Sequence, residues 1–495
     1  MPGPVERFGL AAVLALSLAL NCWHIGFPLG YHIDEPVKVG FIQTGTQDFK
    51  HPILLLQLGR AAAGVFGLTE DQDVAVAGRV IQAVAGTLTV LTVFLLARRS
   101  MKDGTALAVA ASVAVAPILV MHAHYLKEDM QLGLWSMVSL LSLVRYAERP
   151  GWSRIVWLGV ALGLAFSSHY KSILLVPLVA VTPFLGILNA SSDNGLRPSP
   201  LRFLRDMAVA GAVAAVVFLV VNFPLLQAAQ VFFEGSGFEL QHALEGEDAR
   251  YRFTEFWFTF HLRYSLASGL GWPALLGSLA GAITLPFVWR RLSFADRLVM
   301  AHVVLFYVVQ EASPLKAARY MVPVAPALLY LGWRGLALIA GAVPVTRAVA
   351  YAAIGLVLIG SPLYRSVRLV SSIGNDTRER AAAWLREHPG KAVIEQYAGL
   401  APTTWSAVDE DIQAARRRRV DFIVTSQLLY GRYLAGALLP DQDPDVYKKA
   451  AAYQALFAYP YIEIPPPYES YEFNNPLIRI VDIRKAPWPP ESPGR

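Results

Sequence analysis

Apolar runs of about twenty residues recur along most of this chain, and no other feature constrains its fold as strongly. A helix of that length spans a hydrocarbon core of ~30 Å. The runs fall at about 8–28, 74–96, 104–122, 130–147, 155–168, 172–189, 207–226, 270–289, 298–311, 320–340 and 347–363. In lipid each segment must satisfy its own backbone hydrogen bonds, so runs of this kind fold as helices. The 495 residues are 55% hydrophobic and 16% charged, whereas soluble domains carry about 25% charged residues. The expected fold class is an α-helical polytopic membrane protein with about eleven transmembrane helices.

The first run could be a cleaved signal sequence. No small-x-small cleavage site follows it, and an uncleaved first helix is the expectation. Cys22, the single cysteine, lies in this run, so no intrachain disulfide is possible.

Alternate loops carry the basic residues: Arg98, Arg99 and Lys102; Arg145, Arg149 and Arg154; Arg197, Arg202 and Arg205; Arg290, Arg291 and Arg297. The positive-inside rule puts these loops, and the N-terminus, in the cytoplasm. The loops at 29–73, 122–129, 169–171, 227–269 and 312–319 then face outward, and eleven spans leave the C-terminal segment outside. Orientation accounts for the net charge of +6, so no nucleic-acid partner is expected. The stretch 227–269 runs from acidic to strongly aromatic ("FTEFWFTFHLRY") and should lie along the membrane surface.

Composition changes near residue 365, which divides the chain into a membrane domain at 1–364 and a small α/β extramembrane domain at 365–495. "NDTRERAAAWLREHPG" reads as a helix capped by Asp376, with Glu379 three residues on and Pro389-Gly390 as the stop. "VDEDIQAARRRR" reads as a second helix. "KAVIEQY", "RVDFIVTSQ" and "LIRIVDIR" read as strands. Arg416 to Arg419 fit either an anionic-lipid patch or a helix C-terminus favoured by its dipole.

Chemistry concentrates at the outer ends of the spans. Asp34 and Glu35 follow the first run, and a carboxylate there can act as general base toward a hydroxyl. The apolar Val37, Val39, Phe41 and Ile42 around the pair are expected to raise its basicity. Solvated carboxylates in an interfacial turn are the plainer alternative. Lys127, Glu128 and Asp129 form a second charged group after His122, His124 and Tyr125. The two histidines diverge by ~200° on a helix, which disfavours a shared metal. Lys50-His51, His169-Tyr170-Lys171 and Lys316 with Arg319-Tyr320 put cations in outer hairpins, against the charge rule. Snorkelling explains each singly; a phosphate group at the outer surface explains them together.

In that order, these segments resemble the GT-C superfamily of polyprenyl-phosphate-sugar-dependent glycosyltransferases, in particular the branch of protein O-mannosyltransferases and lipid A aminoarabinose transferase. The landmarks are Asp34-Glu35, "KHPIL" at 50–54, "GRVIQAVAGTLTVLTVFLLARR" at 78–99, "KED" at 127–129, "LGLAFSSHYKSILLVP" at 162–177 and "SPLKAARYMVPVAPALL" at 313–329. Ile53 replaces the second proline of the family's Pro-Pro pair, Pro36 and Val37 follow the acidic pair, and Ser172 replaces a glycine. The resemblance implies transfer of a sugar, with inversion, from a polyprenyl-phosphate carrier to a hydroxyl of a lipid, glycan or protein outside the membrane. It implies catalytic roles for Asp34, Glu35 and Asp129, and donor-phosphate contacts for His51, Lys50, Lys171, Arg319 and Tyr320. Glu128, Lys127 and His124 would face the acceptor or support these groups. A divalent cation at Asp34 and Asp129 is the one candidate cofactor. The place implied is a bacterial inner (plasma) membrane, with the C-terminal domain extracytoplasmic. A lipid-linked sugar flippase would show inverted repeats and midplane charge, and a membrane scaffold would tolerate loss of Asp34.

Overall fold

The computed structural model describes residues 3–186, 199–246, 258–342, 346–399, 403–404, 406–408, 412–438, 443–468 and 474–485. Each of the eleven expected runs is helical over most of its described length. The first half of the chain forms α1 (Pro4–Cys22), α2 (Glu35–Thr44), α3 (Leu54–Phe66), α4 (Asp71–Ala97), α5 (Asp103–Ala114), α6 (Pro117–His122), α7 (Asp129–Glu148), α8 (Trp152–Ser168), α9 (Leu175–Leu185), α10 (Pro200–Val221) and α11 (Ala229–Glu245). Further apolar helices cover Trp272–Thr284, Phe294–Ala312, Ala325–Ala342 and Arg347–Gly355. The run at 104–122 breaks between α5 and α6 because Pro117 has no N–H and holds Ala116 extended.

Among the described residues, five helices are long and apolar enough to cross a membrane: Pro4–Cys22, Asp71–Ala97, Pro200–Val221, Trp272–Arg291 and Arg347–Glu387. Helix length alone thus supports a multi-pass protein without fixing eleven crossings. The helices pack through small residues. A Cβ on Gly159 or Gly163 of α8 would lie 2.6 Å from atoms of α10, so only glycine allows this approach.

The basic loops gather at one end of the helical body. Arg99 pairs with Glu148 at 2.8 Å, Arg202 donates to the Pro150 carbonyl, and Arg297 donates to the Leu185 carbonyl. Arg197 lies outside the described residues, as does the aromatic stretch up to residue 257. Asp129 and Glu148 bound the 20-residue α7, so "KED" sits ~30 Å from that basic end.

The C-terminal domain holds a mixed sheet in the order β1-β2-β4-β3, with β1 at Ala392–Ile394, β2 at Phe422–Ser426, β3 at Tyr461–Ile464 and β4 at Ile478–Asp482. β1 runs parallel to β2 (Ile394 beside Val424), and β4 pairs antiparallel with both β2 and β3. Every residue of β2 is buried. The three expected strands are β1, β2 and β4. The edge strand β3 and the helices Gln427–Gly436 and Pro444–Phe457 were not expected. Residue 365 lies inside the helix Ser361–Ser372, and the sheet itself begins at Ala392. Asp376 caps Thr377–Glu387 by accepting from the Arg378 N–H. Glu379 does not close the capping box; it accepts from the Tyr31 hydroxyl. Arg378 donates to the Tyr31 carbonyl at 2.8 Å. These bonds dock the domain on the loop that follows α1, three residues before Asp34.

Candidate active site

The loop from Tyr31 into α2 sets the two acidic neighbours facing apart. Glu35 is fully buried and takes Arg79 of α4 on both oxygens, at 2.9 and 2.6 Å, plus the Leu126 N–H at 3.0 Å. Arg79 lies against the Phe27 ring, 3.5 Å from its centroid, and donates to the Ile25, Phe27 and Pro28 carbonyls. Glu35 therefore ties the loops together and does not reach the cavity. Asp34 does: 37% of its side chain is exposed, and its carboxylate binds the Lys127 ammonium at 2.6 Å.

That cavity, about 690 Å³, is walled by the segments at 29–73, 122–129, 169–171 and 312–319, by α11 and by the C-terminal domain. Lys127 also donates to His51 Nε2 at 3.4 Å and lies 3.6 Å from Glu128. Glu128 pairs with Lys38, one helical turn beyond Asp34. The His51 and His169 rings stand 4.9 Å apart. Lys316 is held by Glu311 at 2.9 Å. Arg319 and Tyr320 also line the cavity, with Arg319 5.4 Å from the Tyr320 ring centroid. Phe49, fully buried at φ 51°, turns the chain so that Lys50 and His51 face the cavity, and Tyr170 holds its carbonyl. α11 sits directly over this turn: a Cβ on Gly235 would lie 2.0 Å from the Asp48 carbonyl oxygen. The contact brings Phe238, Glu239 and His242 to the wall, with Lys50 4.5 Å over the Phe238 ring.

Charge pairing sets the protonation states. Burial raises the Asp34 carboxyl, but Lys127, His32 and Lys38 outweigh it and hold the group well below the usual range. This corrects the expectation of raised basicity. Val39 and Ile42 turn into a separate apolar cluster and Val37 is exposed, so the ammonium groups dominate. Burial likewise raises Glu128, while Lys38 and Lys127 bring it down to about 2. Burial would lower Lys127; Asp34 and Glu128 reverse this and keep it charged. Burial, with Lys127 and Lys38 nearby, lowers His51 and leaves it neutral.

Of the residues singled out from sequence, Asp34, Lys50, His51, Lys127, Glu128, Arg319 and Tyr320 line one cavity. Asp129, Lys171, His124 and Glu35 do not. Asp129 is buried, and its Oδ2 has no hydrogen-bond partner among the described residues. The Lys171 ammonium lies over the Tyr320 ring and meets the cavity only through it. The His124 ring nitrogens face the Val120 and Trp23 carbonyls at 2.7 and 2.9 Å, so both are occupied. No three His, Cys, Asp or Glu side chains converge as a metal-ligating group among the described residues, and Asp34 is engaged by an ammonium.

Lys38, Arg79 and Glu239 are not among the site residues expected from the sequence. Two signals were available: Lys38 lies four residues after Asp34, on one helical face, and Arg79 is a lone charge in an apolar run. Gln396, Tyr397, Leu428 and Arg432 join the wall from the C-terminal domain, and no local pattern announces them.

The profile of the dolichyl-phosphate-mannose-protein mannosyltransferase family matches residues 50–220. No curated protein is matched by sequence. The fold is similar to that of the Archaeoglobus fulgidus oligosaccharyltransferase AglB, solved with an inhibitory peptide and a dolichol-phosphate (13% identity, 93% of this chain and 73% of that one, TM-score 0.56). An Archaeoglobus fulgidus oligosaccharyltransferase in complex with Zn and sulfate gives 14% identity, 93% and 72% coverage and a TM-score of 0.54. ArnT from Cupriavidus metallidurans, bound to undecaprenyl phosphate, is similar over 96% of this chain and 97% of its own (16% identity, TM-score 0.54). The fold is thus shared with these solved membrane proteins.

Proposed function

We propose that this protein is a membrane glycosyltransferase that moves a sugar from a polyprenyl-phosphate carrier to an acceptor hydroxyl at the extracytoplasmic face. One observation carries the reading. An ionised carboxylate, Asp34, opens on a cavity lined by Lys38, Lys50, Lys127, Lys316 and Arg319, at the end of the helical body opposite the basic loops. The donor is a phosphodiester; the polyprenyl phosphate that leaves departs when its charge is neutralised, and the cations around the cavity supply that. Asp34 takes the proton from the acceptor hydroxyl as the hydroxyl oxygen attacks the anomeric carbon. The carbon–phosphate-oxygen bond breaks in the same step, so the configuration inverts. His51, Lys50 and Arg319, with Tyr320 backed by Lys171, hold the phosphate. Lys127 orients Asp34 and keeps it ionised. Asp129 and Glu35 support the frame rather than the reacting atoms. The reading needs no metal; a divalent ion would have to displace Lys127 from Asp34.

The test is Asp34→Asn, assayed with an undecaprenyl-phosphate sugar. The variant keeps shape but loses the proton acceptor, so transfer should fall by about 10²-fold or more while donor binding persists. Near-full turnover in folded Asp34→Asn protein would remove the assignment and favour a flippase or scaffold.

A further inference from the structure

Four cavity residues come from the C-terminal domain, and their places in its sheet are not scattered. Gln396 and Tyr397 lie just beyond the end of β1, after Glu395; Leu428 and Arg432 lie beyond the end of β2. β1 and β2 are the parallel pair. In sheets with parallel strands the crevice beyond the carboxyl ends is where ligands bind, because neighbouring loops diverge there and leave backbone and side chains exposed to one space. Here that crevice opens onto Asp34.

Its chemistry is specific. Tyr397 adopts φ 68°, a left-handed conformation that costs a residue with a Cβ, and such conformations persist where the surroundings impose them. Tyr397 shares a small apolar cluster with Leu429, against which Ile33, the residue before Asp34, also packs. Its hydroxyl bonds to Arg432 and lies within electrostatic reach of Asp34 and Arg319. The Arg432 guanidinium lies 5.2 Å over the Tyr397 ring, which fixes the plane of its donors. Gln396 Oε1 is shielded from solvent and has no hydrogen-bond partner among the described residues. An aromatic hydroxyl, an amide and a planar cation beside a catalytic carboxylate suit a polyol carrying a negative charge.

We propose that this strand-end crevice is the acceptor subsite, that Gln396 and Tyr397 bind sugar hydroxyls, and that Arg432 selects an acceptor sugar bearing an anionic group. The inference rests on the glycosyltransferase reading and deepens it. The donor phosphate occupies the wall of Lys50, His51 and Arg319, and the acceptor enters from the C-terminal domain.

The test uses the full-length protein in detergent, first saturated with undecaprenyl phosphate so that the phosphate wall is filled. Binding of methyl α-glucuronide, glucose 6-phosphate and neutral methyl α-glucoside is then compared by ligand-observed NMR. The anionic probes should bind at least ~10-fold more tightly than the neutral one, the step that one lost charge-assisted contact produces. Arg432→Gln should abolish that preference, Arg432→Lys should restore part of it, and Gln396→Ala should weaken all three probes. Arg484→Gln, a surface change outside the cavity, should do nothing. Lipid binding with equal affinity for charged and neutral sugars, or with Arg432→Gln indistinguishable from the parent, overturns the acceptor subsite alone. Failure of undecaprenyl phosphate to bind overturns the enzymatic reading, and this inference with it.

Discussion

Arg79 sits on an otherwise apolar helix with its guanidinium between Glu35, the Phe27 ring and three backbone carbonyls. Both partners of the pair are fully buried. Removing one leaves the other as an uncompensated charge, which costs about 3–5 kcal/mol. Arg79→Ala should therefore lower the melting temperature in detergent sharply, whereas Arg79→Met with Glu35→Gln should recover much of the loss. Equal melting of all three would show the pair to be dispensable. The prediction also separates the acidic neighbours: Glu35→Gln alone should act on stability and Asp34→Asn on turnover. The sequence marked both carboxylates as chemical because adjacency does not encode direction. What divides them is the partner each meets: Arg79 lies 44 positions from Glu35 and Lys127 lies 93 from Asp34. Lys38 was readable from its four-residue spacing, and Arg432 was not, because nothing local ties it to the outer loop.

α11 illustrates how an element positions chemistry without taking part in it. Gly235 lets the helix rest on the Asp48–Lys50 turn, and one turn later Phe238 and Glu239 reach the cavity. Gly235→Val would drive a side chain into the Asp48 carbonyl and lift the helix. Misplacement of a site by about 1 Å costs on the order of 10²-fold in turnover. Gly235→Val should show such a loss with little change in melting, since α11 contributes few buried residues. Gly237→Ala is the control: no atom lies within 4 Å of its added Cβ, so activity should be unchanged. Periodicity made the membrane helices legible because each satisfies its own backbone, and Pro117 even marks the break between α5 and α6. β1, β2 and β4 were legible as short β-branched runs. β3 was not: two of its four residues are exposed, and an edge strand between prolines carries little apolar signal.

At the scale of the molecule, the basic loops define one end and the cavity with its covering domain defines the other. A reporter active only in the cytoplasm, fused after Arg495, should therefore stay silent; a strong signal would reverse the proposed orientation. The same arrangement carries a dependence on acidity. His51 and His169 line the cavity, His32 accepts from the Asp34 N–H beside it, and burial holds each well below the ordinary value of 6.5. Lys127 opposes protonation at all three, Arg319 at His32 and His51, and Lys38 at His51, while Asp34 favours it at His32 and His51. The net direction is down. Unfolded, the three histidines take up protons as pH falls through about 6.5; folded, they do not until far lower. The unfolded chain then binds more protons, so stability rises with pH across this window and is lost on acidification. Each histidine contributes a slope of up to about 1.4 kcal/mol per pH unit. Asp34 adds nothing here, because its carboxylate is ionised in both states until pH nears 3.8. Melting in detergent at pH 7.5, 6.5 and 5.5 should fall steadily below 6.5. His51→Gln, which carries no titrating ring, should flatten the fall without raising the cavity's charge. A melting temperature that holds level or climbs between pH 6.5 and 5.5 would mean that these rings gain protons in the folded protein, and that the cavity is wetter and more open than its buried ion pairs imply.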